Sequence, residues 1–536
     1  MQNVSANDPP HRVPRRIVVF ADGTGNAFSS QESNVWRLYQ ALDKRPGVAL
    51  QLARYIPGVG TSGNAVLRLI DGATGYGVPS NVRKLYRFLC WNWEPGDEIY
   101  LFGFSRGAFT VRTLAALVAM QGLMPRRVGD TDITSAEMDR NAMGAWLAYR
   151  TMTAPLVSPG KSVWNPLNWQ MNPLISIIRG LRDALTFAKR RLLGQRPHAE
   201  VLAALPASRR AGAVPIRFMG LFDTVEAYGM PVEEMRMIWN RLIWPIRFRN
   251  RRCSWVVGKV RHALSLDEER LSFDPIRFDQ SPRPDGRPVP ETQEVWFAGV
   301  HSDVGGGYPN DETAFQPLLW MADEATHQDL AFDQAALGRY RARLYPQALI
   351  HDSRQGLASL YRYCPRVVGF GLSEGGPPVV HHSVIKKMDS GAVGYAPLGL
   401  PAEFGVYPAH GSRSAGVVPG GLVPSGLLQD AATAAGLRQL IRRRKATNWV
   451  TILCVLALVA LPFVAANPPV NAWVRGAGSV LGGLVPAWAM LWVEALVANW
   501  RVSGAVLAVV LAVYLSNQSL AFRIRDLGRR LWRKPG

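Results

Sequence analysis

Short apolar runs alternate with helix-periodic segments through the first half of the chain. The runs that read as buried strands are 16–21, 50–55, 99–102 and 214–222, and apolar residues at helical spacing fill 33–42 and 79–89. Strands that alternate with helices predict βαβ units, and hence an α/β fold with a mostly parallel sheet and helices on both faces. Such sheets bind ligands beyond the carboxyl ends of their strands, so chemistry is expected at that edge.

A serine follows the strand at 99–102 within the sequence Gly103-Phe104-Ser105-Arg106-Gly107, and a helical pattern begins directly afterwards. A serine between a strand and a helix, with glycine on either side, is typical of the nucleophile elbow of α/β-hydrolases. Side chains at the flanking positions would collide with neighbouring backbone in so tight a turn. The order of elements therefore favours Ser105 as a nucleophile over a merely small residue in a tight turn.

The same Gly-x-Ser-x-Gly pattern occurs again at 371–375, around Ser373. Gly376-Pro377-Pro378 follows this copy, and no helix can start there because proline lacks the amide hydrogen and fixes its own backbone angle. Only the copy around Ser105 has both the strand before it and the helix after it.

Two further residues complete a candidate catalytic set. Asp223 stands where the apolar run 214–222 ends, and His301 follows the strand-like segment 294–300 at the start of a glycine-rich loop. A triad acid must orient an imidazole, which must in turn reach the nucleophile. The chain order Ser105, Asp223, His301 is the order of nucleophile, acid and base in α/β-hydrolases.

Other assignments compete with these. Asp303 is an alternative acid, although two residues from His301 in an extended loop it would face the opposite way. His262 is expected to make a structural hydrogen bond inside a helix. The pair His381-His382 is the other group of histidines whose sequence surroundings make it a candidate for the catalytic base. A metal site would group Asp22, His301 and Asp303, but no spaced ligand motif supports it.

Two segments interrupt the alternation of strands and helices. Residues 151–206 mix Trp, Leu and Ile with Pro and Asn, which predicts either a lid over the active-site edge or a surface helical pair. Residues 239–255 interleave tryptophan with arginine, which suits a membrane interface or a solvated arginine-rich face.

The C-terminal part predicts a membrane segment. A Gly- and Pro-rich linker near 409–425 and a basic cluster at 438–445 precede an apolar, uncharged run at 449–466. Another apolar run lies near 502–519, before a basic tail. Basic residues at both ends indicate that both ends are cytoplasmic, so two crossings are expected, with the stretch 479–498 interfacial or re-entrant. The expected boundaries are a catalytic domain over 14–408, a linker with its basic cluster over 409–446 and a membrane hairpin with the tail over 447–536.

The distribution of charge along the chain indicates which kind of molecule the protein binds. The formal net charge is +21, but the basic residues lie beside Trp- and Leu-rich stretches and apolar spans, and no nucleic-acid-binding motif occurs. An anionic membrane surface is therefore the expected partner, and nucleic acid is not. Four scattered cysteines indicate a reducing compartment, and the polar residues 1–16 contain no secretory signal.

Six motifs together resemble the uncharacterised α/β-hydrolase domain family that includes the catalytic domain of type VI secretion phospholipase effectors. They lie in family order at 22–24, 58–61, 103–108, 222–225, 262–267 and 301–308, and the resemblance covers roughly residues 14–407. It implies a Ser/Asp/His esterase that acts on lipids, with Ser105, Asp223 and His301 at the matching positions.

The expected activity is hydrolysis of a carboxylic ester of a membrane lipid, without a cofactor or metal. Backbone amides of Arg106 and of the loop at Gly23 and Thr24 are expected to hold the oxyanion. The expected location is the bacterial inner membrane, with the catalytic domain on the cytoplasmic side. A membrane-anchored scaffold that keeps the fold without turnover, and a hydrolase of soluble esters or thioesters, are the alternatives.

Overall fold

The structure is a computed structural model of the 536-residue chain. The structure describes residues 13–23, 32–45, 50–58, 77–128, 131–153, most of 180–226, 251–368, 377–390, most of 395–408, 428–464 and 490–533. Most of the predicted lid, most of the basic and aromatic segment 239–255 and Ser373 lie outside these residues. The same holds for 409–427 of the predicted linker and for 479–489 of the stretch expected to be interfacial or re-entrant.

Among the described residues, eight parallel strands form the central sheet. They are β1 Arg16–Ala21, β2 Gln51–Ile56, β3 Glu98–Phe104, β4 Ile216–Phe222, β5 Val257–Ser265, β6 Glu291–Phe297, β7 Val379–His381 and β8 Gly405–Tyr407. Their order is β8-β7-β6-β5-β4-β3-β1-β2, and every neighbouring pair is parallel. The order reverses between β1 and β3, and such a switch point opens a crevice at the carboxyl ends of the strands.

Helices cover both faces of the sheet. The helices of the catalytic region are α1 Asn34–Ala41, α2 Val78–Asn92, α3 Arg106–Gln121, α4 Ser135–Thr153, α5 His198–Ala203, α6 His301–Gly305, α7 Phe315–Thr326, α8 Gln334–Arg341 and α9 His382–Asp389. Single-turn 3-10 helices lie at Ala207–Arg209, Leu271–Phe273, Glu312–Ala314 and Gly356–Leu360, and a two-residue ladder joins Arg127–Val128 to Thr131–Asp132.

Alternate side chains of the strands enter two separate cores. In β1, Ile17 and Val19 pack in the core beneath α2, α3 and α4, whereas Val18 and Phe20 pack in the core beneath α1, α7 and α8. Side chains of a strand point alternately to the two faces, so both faces of a doubly covered sheet must be apolar. The prediction of an α/β fold with helices on both faces is confirmed.

In the C-terminal part, residues 428–464 and 490–533 are described, and they contain the helices α10 Ala431–Val464, α11 Met490–Ala498 and α12 Trp500–Leu531. Two of them, over Ala431–Phe463 and Trp500–Leu531, are long and apolar enough to cross a membrane. In the most apolar window of each, only 11% and 6% of the residues are buried, so most of this apolar surface faces outward.

The two long helices run antiparallel, and their basic ends meet at the catalytic region. Leu428–Gln429, before α10, pairs with Trp532–Arg533, after α12. Leu437 of α10 and Ile524 of α12 enter a third core with residues of β5, β6 and β7. The basic cluster at 438–445 therefore lies in a helix continuous with the apolar span, and the predicted domain boundary between 446 and 447 falls within α10.

Two local predictions are wrong. Residues 301–305, which were expected to begin an extended glycine-rich loop, form helix α6. His262 lies in strand β5 and not in a helix. Its segment is buried on both faces, so it lacks the alternation that usually distinguishes a strand from a short buried helix.

Candidate active site

Ser105 occupies the turn between β3 and α3. Its backbone has φ 56° and ψ −122°, a conformation that L-residues rarely adopt. A Cβ at Gly103 would lie 2.6 Å from the Cα of Ala108, and a Cβ at Gly107 would lie 2.0 Å from the carbonyl oxygen of Ala21. Glycine is therefore required on both sides of Ser105 by close approach of backbone to backbone.

His301 is the first residue of α6, which follows β6. Its backbone amide donates a hydrogen bond to Glu268 Oε2 at 3.2 Å. Its ring packs against Phe104, with centroids 4.8 Å apart, and meets the edge of Phe273 at 5.0 Å. Gly305 leaves room for Phe104, because a Cβ there would lie 1.9 Å from that ring. The imidazole is thus held from several sides.

Asp223 follows β4 with φ 41° and is fully buried. Its Oδ2 lies 2.5 Å from His301 Nδ1, and His301 Nε2 lies 2.8 Å from Ser105 Oγ. An ionised carboxylate only accepts hydrogen bonds, so Nδ1 carries the proton and Nε2 accepts from the serine hydroxyl. The structure brings together the three residues that the sequence singled out.

Arg366 also binds Asp223. Its Nη1 donates to Asp223 Oδ1 at 2.7 Å and its Nη2 donates to Oδ2 at 2.8 Å, while the Ser265 amide donates to Oδ1 at 3.0 Å. Burial by itself would raise the pKa of Asp223, but the charge of Arg366 and the hydrogen bond from His301 outweigh it and hold the pKa well below its usual range. Asp223 is consequently a carboxylate at neutral pH.

Burial lowers the pKa of His301 below its ordinary value of 6.5, although Asp223 acts in the opposite direction. The charges next to it, Glu268 and Arg270, are paired with each other at 2.8 Å. His301 is therefore neutral at neutral pH and can accept a proton at Nε2.

The expected oxyanion donors are only partly described. The amide of Arg106 is the first of α3, where the positive end of the helix dipole lies. The Gly23 amide donates to Asp22 Oδ1 at 2.6 Å, and Thr24 lies outside the described residues. A Cβ on Gly23 would be 3.3 Å from the Cβ of Ser105, so this backbone passes close to the serine. The two loops share one edge of the sheet, as predicted.

The residues of the alternative metal site are engaged elsewhere. Asp22 Oδ2 accepts hydrogen bonds from Ser33 Oγ and Tyr55 Oη, both at 2.6 Å. Asp303 accepts at 2.6 Å from His351 Nδ1 rather than contacting His301. Within the part of the chain that the structure describes, no group of three or more His, Cys, Asp or Glu side chains is arranged to hold a metal ion.

The other candidate histidines lie apart from Ser105. His262 Nε2 accepts from the Thr224 amide at 3.1 Å, and its Nδ1 lies 3.1 Å from Glu294 Oε1. Both ring nitrogens are thus used inside the core, the structural hydrogen bonding that the sequence predicted. His381 caps α9 through its own ring nitrogen, which accepts from the Ser383 amide.

Sequence reasoning missed Arg366 and Glu268. Arg366 lies 143 residues after the acid that it binds, in a stretch without helical or strand periodicity. Because the chain contains 61 lysines and arginines, the charge of Arg366 does not distinguish it from the others. Glu268 directly follows the motif at 262–267, and this position is the feature of the sequence that could have indicated its place near the site.

Comparison with models of known protein families shows which family the chain belongs to. Residues 15–324, more than half of the chain, match the family described as "T6SS, Phospholipase effector Tle1-like, catalytic domain". The chain belongs to this family. The match covers the elements that carry Ser105, Asp223 and His301, and it ends within α7, before Arg366 and the C-terminal helices.

Two individual proteins are also similar to this Tle1-like chain. The uncharacterized protein YEL023C of Saccharomyces cerevisiae is 27% identical over 282 residues, which cover 50% of this chain and 33% of that protein. The chain therefore matches about a third of the length of its yeast relative. The crystal structure of an uncharacterized protein from Pseudomonas aeruginosa aligns over 93% of this chain and 66% of that one, with 16% identity and a TM-score of 0.31.

Proposed function

We propose that this protein is a membrane-anchored serine phospholipase that cleaves a carboxylic ester with Ser105, His301 and Asp223. Membership of the Tle1-like phospholipase family supports a lipid substrate. The observation that carries the proposal is the chain of two hydrogen bonds, 2.8 Å and 2.5 Å long, from the serine through the imidazole to a buried carboxylate.

The reaction follows from these contacts. Ser105 Oγ attacks the ester carbonyl while its proton passes to His301 Nε2. Asp223 holds the ring in the required tautomer and stabilises the imidazolium. The imidazolium then protonates the departing alcohol, which leaves an acyl-serine. A water molecule gives its proton to His301 and attacks the acyl group; the imidazolium then returns this proton to Ser105 Oγ as the ester bond to the serine breaks and the fatty acid leaves.

The oxyanion would be held by backbone donors. The Arg106 amide at the start of α3 is one, and the loop at Gly23 and Thr24 supplies the second. The Gly23 amide would have to turn from the Asp22 carboxylate, to which it donates in the structure, toward the substrate oxygen. Loss of one such donor typically lowers turnover on the order of a hundred-fold or more.

The long helices α10 and α12 would anchor the enzyme in the bilayer that contains its substrate. Their length and their exposed apolar surface support this role. Arg443 of α10 and Arg529 of α12 belong to the exposed basic ends that lie beside the catalytic region. These ends suit an anionic membrane surface, and the positive-inside rule places them, with the catalytic domain, on the cytoplasmic side of the inner membrane.

Labelling with a fluorophosphonate tests the nucleophile. The full-length protein in phospholipid–detergent micelles is compared with Ser105→Ala and with Ser373→Ala, which removes the serine of the second Gly-x-Ser-x-Gly pattern. We expect the label and fatty-acid release from phospholipid to disappear only in Ser105→Ala. A folded wild type that neither reacts nor releases fatty acid would instead favour a binding or scaffolding role. Release from soluble esters alone would favour the soluble-ester alternative.

A further inference from the structure

Arg366 belongs to an extended segment, residues 361–366, which we call the strap. The guanidinium is buried, with 5% of the residue exposed. Besides its two bonds to Asp223, it donates to the Ser265 carbonyl at 2.7 Å and to the carbonyl of Phe273. Its planar fork is therefore fixed in one orientation against the carboxylate, as two parallel hydrogen bonds require.

The strap also contacts the first long helix. The Tyr363 amide donates to Asn448 Oδ1 at 2.8 Å, and Asn448 directly precedes the apolar run that begins at Trp449. On the strap, Arg362 lies over the Trp449 ring at 4.8 Å. The start of the apolar run is thus bonded to the segment that carries Arg366.

A second connection fixes the same segment from the side of the catalytic region. The Cys364 amide donates to the Glu269 carbonyl at 2.7 Å, and the Arg366 amide donates to the Glu268 carbonyl at 3.3 Å. The Glu269 carboxylate pairs with Arg444 of α10 at 3.2 Å. Helix α10 therefore holds the strap directly through Asn448 and indirectly through Arg444.

We infer that Arg366 is a positioning residue for the triad acid and that helix α10 sets its position through the strap. This inference rests on the proposed function. The triad acid then has its full set of hydrogen bonds only when α10 is seated against the catalytic region. A displacement of α10 would withdraw Arg366 from Asp223 without touching Ser105 or His301.

The chemistry of Arg366 explains why its position matters. Without it, the fully buried Asp223 would keep its hydrogen bonds from His301 and Ser265 but lose its balancing charge. The positive charge also opposes protonation of His301, which otherwise faces Asp223 and the ion pair of Glu268 with Arg270. Removing it should stabilise the imidazolium and leave the carboxylate less firmly oriented.

The first test compares Arg366→Gln and Arg366→Lys with Arg209→Gln in the full-length enzyme. Arg209 is an equally buried arginine that binds the Met124 carbonyl and Glu94, away from the triad. We expect Arg366→Gln to lower kcat by roughly ten- to a hundred-fold, less than the about 10⁴-fold effect of a lost triad acid, with little change in KM. The acidic limb of kcat/KM should move up by about one pH unit.

Arg366→Lys keeps the positive charge but cannot make two parallel hydrogen bonds to the carboxylate. The acidic limb of its kcat/KM profile should therefore stay near the wild-type position, while kcat falls. Arg209→Gln should change stability but neither kcat nor the pH profile. Suppose that the activity of the wild type depends on Ser105 and that both Arg366 variants keep the wild-type kcat and pH profile, as Arg209→Gln should. The inference is then wrong and the proposed function stands. If the wild type has no activity that depends on Ser105, the proposed function itself fails.

The second test addresses α10. Asn448→Ala removes the bond to the strap together with the bond from Asn448 Nδ2 to the Ser359 carbonyl at 3.3 Å. Asn499→Ala, the control, changes an asparagine between α11 and α12 whose side chain donates to the Ala495 carbonyl at 2.9 Å. We expect Asn448→Ala to lower kcat several-fold and Asn499→Ala to leave it unchanged. In a double-mutant cycle, Asn448→Ala should have no further effect once Arg366 is Gln. Additive effects would overturn the link between α10 and Arg366.

Discussion

Gly107 lies against the backbone of Ala21, so closely that a Cβ on Gly107 would be 2.0 Å from the Ala21 carbonyl oxygen. This contact joins the helix after the serine to the strand that carries the Asp22–Gly23 loop. It brings the two loops at the switch point of the sheet within reach of one substrate. The glycine is therefore needed for packing as well as for the turn.

Gly107→Ala should accordingly abolish activity and destabilise the fold by about 3 kcal/mol or more, since backbone must move to admit the methyl group. Gly338→Ala is the matched control, because a Cβ there meets nothing within 4 Å and the residue lies in α8. It should keep full activity and gain up to about 1 kcal/mol. Thermal unfolding and fluorophosphonate labelling of both variants measure the difference. Equal stability and labelling would contradict the packing argument.

The pH dependence of kcat/KM should report the lowered pKa of His301. The imidazole must be neutral to accept the Ser105 proton, so activity should fall as pH drops through the His301 pKa. Because burial lowers that pKa, the midpoint should lie below 6.5, the ordinary value for histidine. A neutral phospholipid in mixed micelles, assayed across the acidic and neutral range, gives the profile. A midpoint at or above 6.5 would show that burial does not control this group.

Much of the site could be predicted because its signals are local. Ser105 and Asp223 each follow a buried strand, and His301 follows soon after one, so the sequence placed all three at one edge of the sheet. The carboxyl ends of parallel strands lie at the same edge of the sheet, so this placement follows without knowledge of any contact between residues distant in the sequence.

The contacts that hold the triad were not predictable in the same way. Arg366 reaches Asp223 from a strap with no periodic pattern, and Asn448 reaches that strap from a helix 85 residues further along the chain. Neither residue belongs to a motif, and each makes its contact across a long separation in the sequence, Arg366 with the acid and Asn448 with the strap. The same kind of ambiguity produced the wrong helix at His262, where burial on both faces removed the strand pattern.

For the membrane anchoring proposed above, the antiparallel helix pair predicts which positions share one side of the membrane. Thr447 Oγ1 of α10 donates to Asn517 Oδ1 of α12 at 2.5 Å, which fixes the register of the two helices. Single cysteines at Arg443 and Arg529 should therefore react with a membrane-impermeant maleimide from the same side, and one at Phe463 should not.

The labelling is carried out in membrane vesicles of known orientation, with the partly exposed Cys364 and Cys454 replaced by serine. A cysteine at the exposed Asp285 of the catalytic region marks the side on which that region lies. Reaction of positions 443 and 529 from opposite sides would contradict the even number of crossings.

Asp267 should make the stability of the catalytic region fall as the pH rises toward neutrality. The Asp267 side chain is partly buried, and its Oδ2 accepts from the Gly299 amide at 2.6 Å and from Tyr395 Oη at 2.8 Å. Its removal from solvent nevertheless raises its pKa from 3.8 to about 7. The native state thus holds the proton more tightly than the unfolded chain. This contribution is fully present below pH 3.8 and is lost as the pH rises through about 7.

Asp267→Asn keeps an oxygen for both donors and removes the charge. We expect it to be more stable than the wild type above pH 7 by up to about 4 kcal/mol, and to lose this advantage as the pH falls toward 3.8. Asp285→Asn, at a carboxyl with 43% of its side chain exposed, is the control. The hydrogen bond from Arg283 lowers the pKa of Asp285, so any trend in this variant should run in the opposite direction. Thermal unfolding in detergent, followed through tryptophan fluorescence at several pH values, measures the effect. An advantage that grows on acidification would show that Asp267 is ionised in the native state and held by its donors.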